Sequence, residues 1–448
     1  MSAQFQVAIV GGGLAGLALA VHLETLGIDW FLLEAYEEIA PELGASIGLP
    51  PNGMQVLDQL GVYDEVAAQA GTGSSVVAYD GDGNKMYDFE LLPRMRATHG
   101  FDLRFTERRT VLKILYDKIQ AKDKVHTSKR VSKIEHVGDK VEITTLDGSS
   151  YTADIVIGAD GIHSPVRGEM WRNAAEDGSK VFGENPGADV VTEYGCTFGI
   201  SDPTNDLKEG DLRHVHRKDA AVGYIVGRKD IVYWFHFFKL PQKHMGIDFP
   251  RFTKEQEKEI TDADLDRVMT PGTTFGDVYK NKTISIITAL PNHRFPRWHY
   301  RRVFCVGDAV TKSQPIAGQG GCSALESSVA LVDHLYAALK ENDMKPLSND
   351  QVEAAFTKTT EVRKERSTTV INEGLLYMKF ASWSNFLYRL IDKYIVRLIP
   401  KTTMVDLMFS GAAGGYHSNT LPAPVDRYVK GTGEPVSAKK IDGTDDEN

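Results

Sequence analysis

Cysteine is scarce in this 448-residue chain: only Cys196, Cys305 and Cys322 occur, far apart and without Cys-x-x-Cys spacing. An odd, scattered set excludes a disulfide framework and a zinc site, provides no metal ligand set, and suits a reducing compartment. Long apolar runs are missing as well. Nothing reaches the roughly 18 apolar residues that a membrane-spanning helix needs. The stretch from Leu375 to Leu398 comes nearest, but Lys379, Arg389, Asp392, Lys393 and Arg397 interrupt it. It reads first as a packed helix and second as a peripheral membrane contact over residues 375–398. Positive charge is not in excess: 51 Lys and Arg stand against 61 Asp and Glu, for a net charge of -10. With the basic residues scattered, a nucleic-acid footprint is excluded. The N-terminus lacks a basic region and a cleavable apolar stretch, since Phe5 to Val10 runs straight into a glycine loop. This predicts a cytoplasmic protein, attached to a membrane or not, that is not secreted. No internal repeat is present, and no obligate protein partner is indicated.

What is present begins with one βαβ unit. Phe5 to Val10 is rich in β-formers, Leu14 to Leu26 has helical periodicity, Gly27 stands where a helix is closed by glycine, and Trp30 to Leu33 is a second strand. Residues 105–120 predict a helix with Val111, Leu112, Leu115 and Ile119 on one face, and short strands follow from Val131 to Thr145. The unbroken run Ile155-Val156-Ile157 predicts a strand buried on both faces. From about residue 185 to 290 the texture changes to aromatic and β-branched alternation, as in Ile231 to Phe238. A buried strand at 303–308 and a long helix from Ser323 to Leu339 then return to the first pattern.

The expected fold is therefore α/β: a Rossmann-like dinucleotide-binding domain in pieces 1–75, 105–184 and 291–370, with an inserted β-sheet substrate domain at 76–104 and 185–290. A C-terminal helical segment at 371–430 and a disordered tail at 431–448 complete it.

Gly11-Gly12-Gly13-Leu14-Ala15-Gly16 matches G-x-G-x-x-G between a strand and a helix. Gly11 permits the tight turn, Gly13 lets backbone approach a pyrophosphate, Gly16 lets helix and strand pack, and the helix N-terminus faces the phosphates. Glu34, 18 residues beyond Gly16, ends the second strand, where a carboxylate can bind an adenosine ribose. These features fit NAD and FAD equally.

Further motifs separate the two by resemblance. Gly158-Ala159-Asp160-Gly161 with Ser164, Val166 and Arg167, followed by Val306-Gly307-Asp308, resembles the second and third fingerprints of the aromatic-hydroxylase-like (group A) flavin monooxygenases. The likeness spans roughly residues 5–340, in the family's order. It implies FAD, with Asp308 on the ribityl chain and Asp160 between the flavin and the route of the nicotinamide. Arg108 stands where the family has an FAD-contacting Arg at a helix start; its neighbour Arg109 is a rival, and a solvated surface charge is the plainer reading of either. Gly44-Ala45-Ser46-Ile47-Gly48 resembles the family's loop beside the isoalloxazine, which makes Ala45 and Gly48 cofactor contacts. Pro315-Ile316-Ala317-Gly318-Gln319-Gly320-Gly321 feeds a helix, so Gly318, Gly320 and Gly321 would present backbone donors to the flavin. The family more often has Asn-Leu at Ile316-Ala317 and Ala at Gly321.

The resemblance implies that NADPH or NADH docks transiently in a shared cleft, no second G-x-G-x-x-G being present, and that O2 is the co-substrate. Oxygen transfer through a C4a-hydroperoxyflavin follows. Stretches such as Ala45-Ser46-Ile47-Gly48, Phe198-Gly199-Ile200-Ser201 and Leu421-Pro422-Ala423-Pro424 resemble fungal secondary-metabolite epoxidases of indole-diterpene and meroterpenoid pathways. The implied substrate is a large apolar prenylated, terpenoid or aromatic molecule, epoxidised or hydroxylated. His216, Arg217 and Tyr224, with His214 near them, are the candidates to polarise or protonate a substrate oxygen. Plain structural roles compete with that reading. A halogenase of this fold would carry Trp-x-Trp, and none of the five tryptophans has that spacing. A flavin-dependent isoprenoid reductase and a non-catalytic prenyl-protein carrier of the same fold remain as alternatives.

Overall fold

The computed structural model describes residues 5–42, 46–205 and 207–436. Its first layer is a six-stranded sheet in the spatial order His299–Tyr300, Val303–Cys305, Ile155–Gly158, Gln6–Val10, Asp29–Leu33, Val125–His126. All neighbours run parallel except the edge pair His299–Tyr300 with Val303–Cys305. Val7, Ala8 and Ile9 are fully buried in succession, as expected of a parallel strand covered on both faces. The helix Leu14–Thr25 is buried all round from Leu14 to Leu23 and packs against the long helix Gly320–Glu341. That composition follows from its position between the sheet and another helix.

The second layer is an eight-stranded sheet that alternates on two faces. The 14-residue strand Val232–Met245 lies between Val191–Ser201 and Ala220–Val226, and Lys282–Arg294 continues the sheet on one side. On the other side Asp211–Arg217 pairs in parallel with Ser75–Asp80, which pairs with Lys85–Glu90. The expected substrate-sheet piece at 76–104 is thus strand only to Glu90; Leu92–His99 is a helix, and Arg104–Glu107 leaves to pair with Ser46–Leu49 and Gly71–Thr72. A three-stranded antiparallel sheet, 131–137, 140–145 and 150–153, sits within the 105–184 piece.

The C-terminal part differs from a simple helical segment. A 33-residue helix, Asn349–Ala381, crosses the expected boundary at 370 and ends where Trp383 takes φ 41°. Residues 375–398 are therefore not one helix. Met378 and Ala381 are fully buried, whereas short turns from Phe386 to Leu398 expose Phe386 (71%), Leu387 (61%) and Leu398 (73%). After the helix Lys401–Met408 the chain becomes an extended strap on the dinucleotide domain. Asp333 accepts from Tyr416 Oη (3.0 Å), Ser418 Oγ (2.7 Å) and Asn419 N (2.8 Å), and Arg427 bonds Asp58 (2.5 Å). Of the tail expected to be disordered, residues 431–436 instead form a turn, with Tyr428 bridged to Pro435 and Gly431 N–H donating to Ala97 O. Residues 437–448 lie outside the described part. Among the described residues no helix is long and apolar enough to cross a membrane.

Candidate active site

The glycine loop is built by contacts that no side chain would survive. Gly11 has φ +106°, and a Cβ on it would fall 2.6 Å from Ala159 O. On Gly16 a Cβ would lie 1.9 Å from Gly11 O, so strand, loop and helix are closed upon one another. Gly13 caps the helix Leu14–Thr25 without a side-chain bond, leaving its N-terminal N–H groups directed at a cleft of about 1090 Å³, counting its open mouth. Gly13, Gly161, Gly307, Gly320 and Gly321 bring backbone to the walls of this cleft. No described residue stands within 4 Å of a Cβ built on Gly320, while one on Gly321 would meet Ile47 and Leu14 at 2.8 and 3.1 Å. Gly318 turns the chain at φ +65° just before the helix.

Charged groups complete the cleft. Arg108, first residue of the helix Arg108–Lys118, lines it, and a Cβ on Gly13 would lie 3.3 Å from its guanidinium. Surrounding protein lowers its pKa, opposed by Asp308 and Glu34. Arg109 points elsewhere, to Glu42 and, at 2.7 Å, to Glu107. Asp308 also faces the cleft, paired with Lys312. Glu34 ends the second strand, but its oxygens accept from Gly12 N (2.5 Å) and Tyr36 N (2.9 Å). Asp160 turns toward the helix Pro165–Glu176 and accepts from Val166 N at 3.0 Å; burial pushes its pKa up to about 6. Ala45 lies outside the described residues, whereas Gly48 belongs to the cleft wall.

A second cavity, about 730 Å³ with its mouth, adjoins the first across Gly48, Phe105, Phe235, Pro315 and Gly318, which border both. Leu103, Leu212, Ile225, Phe237, Met408 and Phe409 make it apolar. Strand alternation decides which sequence candidates reach it. His214 pairs with Gly223 and faces the cavity. His216, two residues on, shares that face but is buried beyond the cavity, with Nδ1 2.8 Å from Asp392. Arg217 falls on the opposite face, where it is bound to Asp264 at 2.5 Å. Tyr224 borders the cavity along its strand, yet its ring packs on the other side with Val222, Trp234, Met269 and Phe275. The expected trio is therefore not assembled at the cavity, because a one-residue step in a strand reverses the side chain.

Residues absent from the sequence reading take those places. Tyr377, from the 33-residue helix, lines the cavity beside His214, and the 408–409 segment closes one wall. Asn52 bonds Gln319 (3.0 Å) and Glu326 (2.7 Å) beneath the glycine-rich loop, and Glu326 pairs with the buried Arg363 and with Arg366. These cations hold the Glu326 carboxyl down at about 2 despite burial. Sequence spacing gives no signal for such partners, since Asn52 and Glu326 are 274 residues apart.

A phosphate-ready helix end, a long cleft of glycine backbone with one arginine, and an apolar chamber at its far end define a flavin-nucleotide site abutting a substrate chamber. The sequence profile of the FAD binding domain family matches residues 4–351. The FAD-dependent monooxygenase spyC of Aspergillus fumigatus is 33% identical over 392 residues, covering 87% of this chain and 82% of that protein. The FAD-dependent monooxygenase atmM of Aspergillus flavus is 32% identical over 425 residues, covering 94% and 88%. Among solved structures, HpxO of Klebsiella pneumoniae complexed with FAD and uric acid superposes with TM-score 0.74 at 21% identity, covering 93% of this chain and 98% of that one. The p-nitrophenol 4-monooxygenase PnpA of Pseudomonas putida gives 0.72 at 16%, covering 92% and 97%. This chain belongs to the FAD-binding-domain family and, within it, to the FAD-dependent monooxygenases of fungal secondary metabolism.

Proposed function

We propose that this enzyme places one oxygen atom on a large apolar substrate, prenylated, terpenoid or aromatic, giving an epoxide or an alcohol. The observation that carries the reading is the shared wall: the flavin cleft opens at Gly48, Phe105, Phe235, Pro315 and Gly318 onto a chamber lined almost wholly by carbon. The cleft fits FAD. Gly11, Gly13 and Gly16 would receive the pyrophosphate at the helix end, Arg108 would lie beside it, and Asp308 would meet the ribityl chain. The glycine-rich turn at Gly318, Gly320 and Gly321 would face the ring system, while Glu34 and Asp160 would support the ribose end and the nicotinamide route. These residues would hold FAD, which would supply, with electrons from transiently docked NADPH or NADH, one oxygen atom of O2 to the substrate while the other leaves as water.

The protein's own residues exclude water and orient the substrate. Phe105, Phe198 and Phe235 form an edge-to-face set at the junction, with centroids 6.0 Å and 5.6 Å apart. Phe409 and Met408 cover the far side. Epoxidation of an alkene needs no base to ionise the substrate, which agrees with the retreat of His216 and Arg217 from the chamber. A chamber of this lining also favours delivery from a lipid phase. The exposed Phe386, Leu387 and Leu398, rimmed by the exposed Arg389 and Arg397, are proposed to touch an anionic membrane surface without spanning it.

The test is purified yellow protein given NADPH and a panel of prenylated aromatic and terpenoid compounds, with oxygen uptake and product mass followed together. A product one oxygen heavier supports the reading. Anaerobic hydride transfer to the substrate, with no oxygen gained, replaces it with the reductase reading.

A further inference from the structure

The apolar chamber contains one polar device. Among the described residues that line it, only His214, Tyr224 and Tyr377 have polar side-chain atoms, and the Tyr224 ring packs in the cluster on the other face of the sheet. Tyr377 Oη lies 3.1 Å from His214 Nδ1, and the two rings stack with centroids 6.0 Å apart at 21°. Neither side chain is closed off from the chamber; both are half-buried.

The placement of Tyr377 follows from packing. Gly374, one turn earlier, lets the 33-residue helix approach the backbone of Gln314, where a Cβ would already meet N and O at 3.4 Å. Tyr377 then joins Ile316 and Phe235 in packing on the buried cluster of Tyr194, Cys196, Phe237 and Met378, and all three line the chamber. The pair thus stands at the flavin-side loop that carries Pro315 to Gly318.

Resting on the proposed oxygenation of an apolar substrate, we propose that the Tyr377 hydroxyl, held by His214, binds a hydroxyl group of that substrate and fixes which part of its apolar body reaches the flavin. A hydroxyl is the group that satisfies the pair in either tautomer. If Tyr377 donates to Nδ1, its oxygen accepts from the substrate; if Nδ1–H donates to Tyr377, the phenol donates to the substrate. Burial lowers the His214 pKa to about 3, so the imidazole is neutral and the pair has no net charge to attract a carboxylate or a phosphate. Within an otherwise carbon-lined chamber, one neutral hydrogen-bonding pair selects a molecule with an apolar body and one hydroxyl.

The experiment compares farnesol with the hydrocarbon in which hydrogen replaces its hydroxyl, using the FAD-loaded enzyme and Tyr377→Phe. Dissociation constants are read from the perturbation of the flavin absorbance spectrum, with no turnover required. Tyr377→Phe removes one oxygen without opening a void, and its flavin content reports folding. The ratio of the alcohol constant to the hydrocarbon constant is expected to rise roughly three- to tenfold in Tyr377→Phe, the effect of one neutral hydrogen bond. The hydrocarbon constant is expected to stay within about twofold, as a group that never met Tyr377 must. An unchanged ratio, with both probes still binding, overturns the hydroxyl assignment and leaves the apolar-substrate reading intact. If neither probe perturbs the wild-type flavin, the apolar-substrate reading falls, and this assignment with it.

Discussion

The Arg167 guanidinium donates to the Ala309 carbonyl at 2.8 Å, and its second amino group donates to Ile162 O at 3.0 Å. One buried side chain therefore ties the turn after Ile155–Gly158 to the turn that carries Asp308. It lies over the rings of Trp171 and Phe295 at 5.1 and 5.2 Å, which adds cation–π attraction in a desolvated place.

Arg167→Leu should cost roughly 2–3 kcal/mol of stability, since charge-assisted hydrogen bonds to two carbonyls are lost. FAD affinity should fall with it, because Asp308 would lose its fixed turn. Chemical denaturation and flavin fluorescence on dilution measure the two effects. Unchanged FAD affinity would show that the cleft keeps its form without this link.

Gly16→Ala should abolish yellow colour in the purified protein. Its Cβ cannot be housed 1.9 Å from Gly11 O, so the glycine loop must move away from the pyrophosphate position. Gly168→Ala, in the helix Pro165–Glu176 and with no described residue within 4 Å of the new Cβ, should fold and stay yellow, and serves as the control.

Removing Glu326 leaves Arg363 and Arg366 facing one another without their anion. Glu326→Gln is expected to destabilise the protein by roughly 3–5 kcal/mol, as a broken buried ion pair does. Because Asn52 connects Glu326 to Gln319, flavin binding should weaken too. A thermal melt with and without added FAD reads both.

Acid should unfold the protein through its buried histidines. His22 is held down to about 4 and His293 to about 3, in each case chiefly by burial. The unfolded chain binds protons near pH 6.5 that the folded chain refuses, so stability is full above that pH. It is lost as pH falls from about 6.5 toward 4, on the order of 2–3 kcal/mol per histidine. The melting temperature should drop across that window; a flat profile between pH 6.5 and 4.5 would contradict it.

Phe386→Ser with Leu398→Ser should leave the melting temperature unchanged, since both side chains are mostly exposed. Cosedimentation with vesicles containing phosphatidylserine should be lost. Equal binding by the variant would place any membrane contact elsewhere.

Much of the dinucleotide domain was legible because its signals are local. The strand, glycine loop and helix from residues 6 to 25 follow one another directly, and Gly11 and Gly16 have steric reasons that hold in any context. The chamber was less legible. His216, Arg217 and Tyr224 were marked by residue type, but strand parity sends Arg217 and the Tyr224 ring away. Parity alone, applied from His214 through Arg217, would have separated them. Tyr377 could not have been found that way, because it reaches the sheet from a helix 163 residues beyond His214. The same holds for the strap, where Ser418 and Thr420 join Asp333 through contacts that no periodicity encodes. Residues 375–398 differ for another reason: mixed apolar and charged residues suggest one helix, and the left-handed turn at Trp383 breaks it.

Cleft and chamber acting together would move an oxygen atom from O2 to a carbon substrate. The most direct test is turnover under 18O2 with NADPH and a substrate from the prenylated panel, followed by product mass. A product two mass units heavier than the same product made under 16O2 is expected, with no label when only the water is 18O. Label arriving from water, or a product formed equally well without O2, would contradict it.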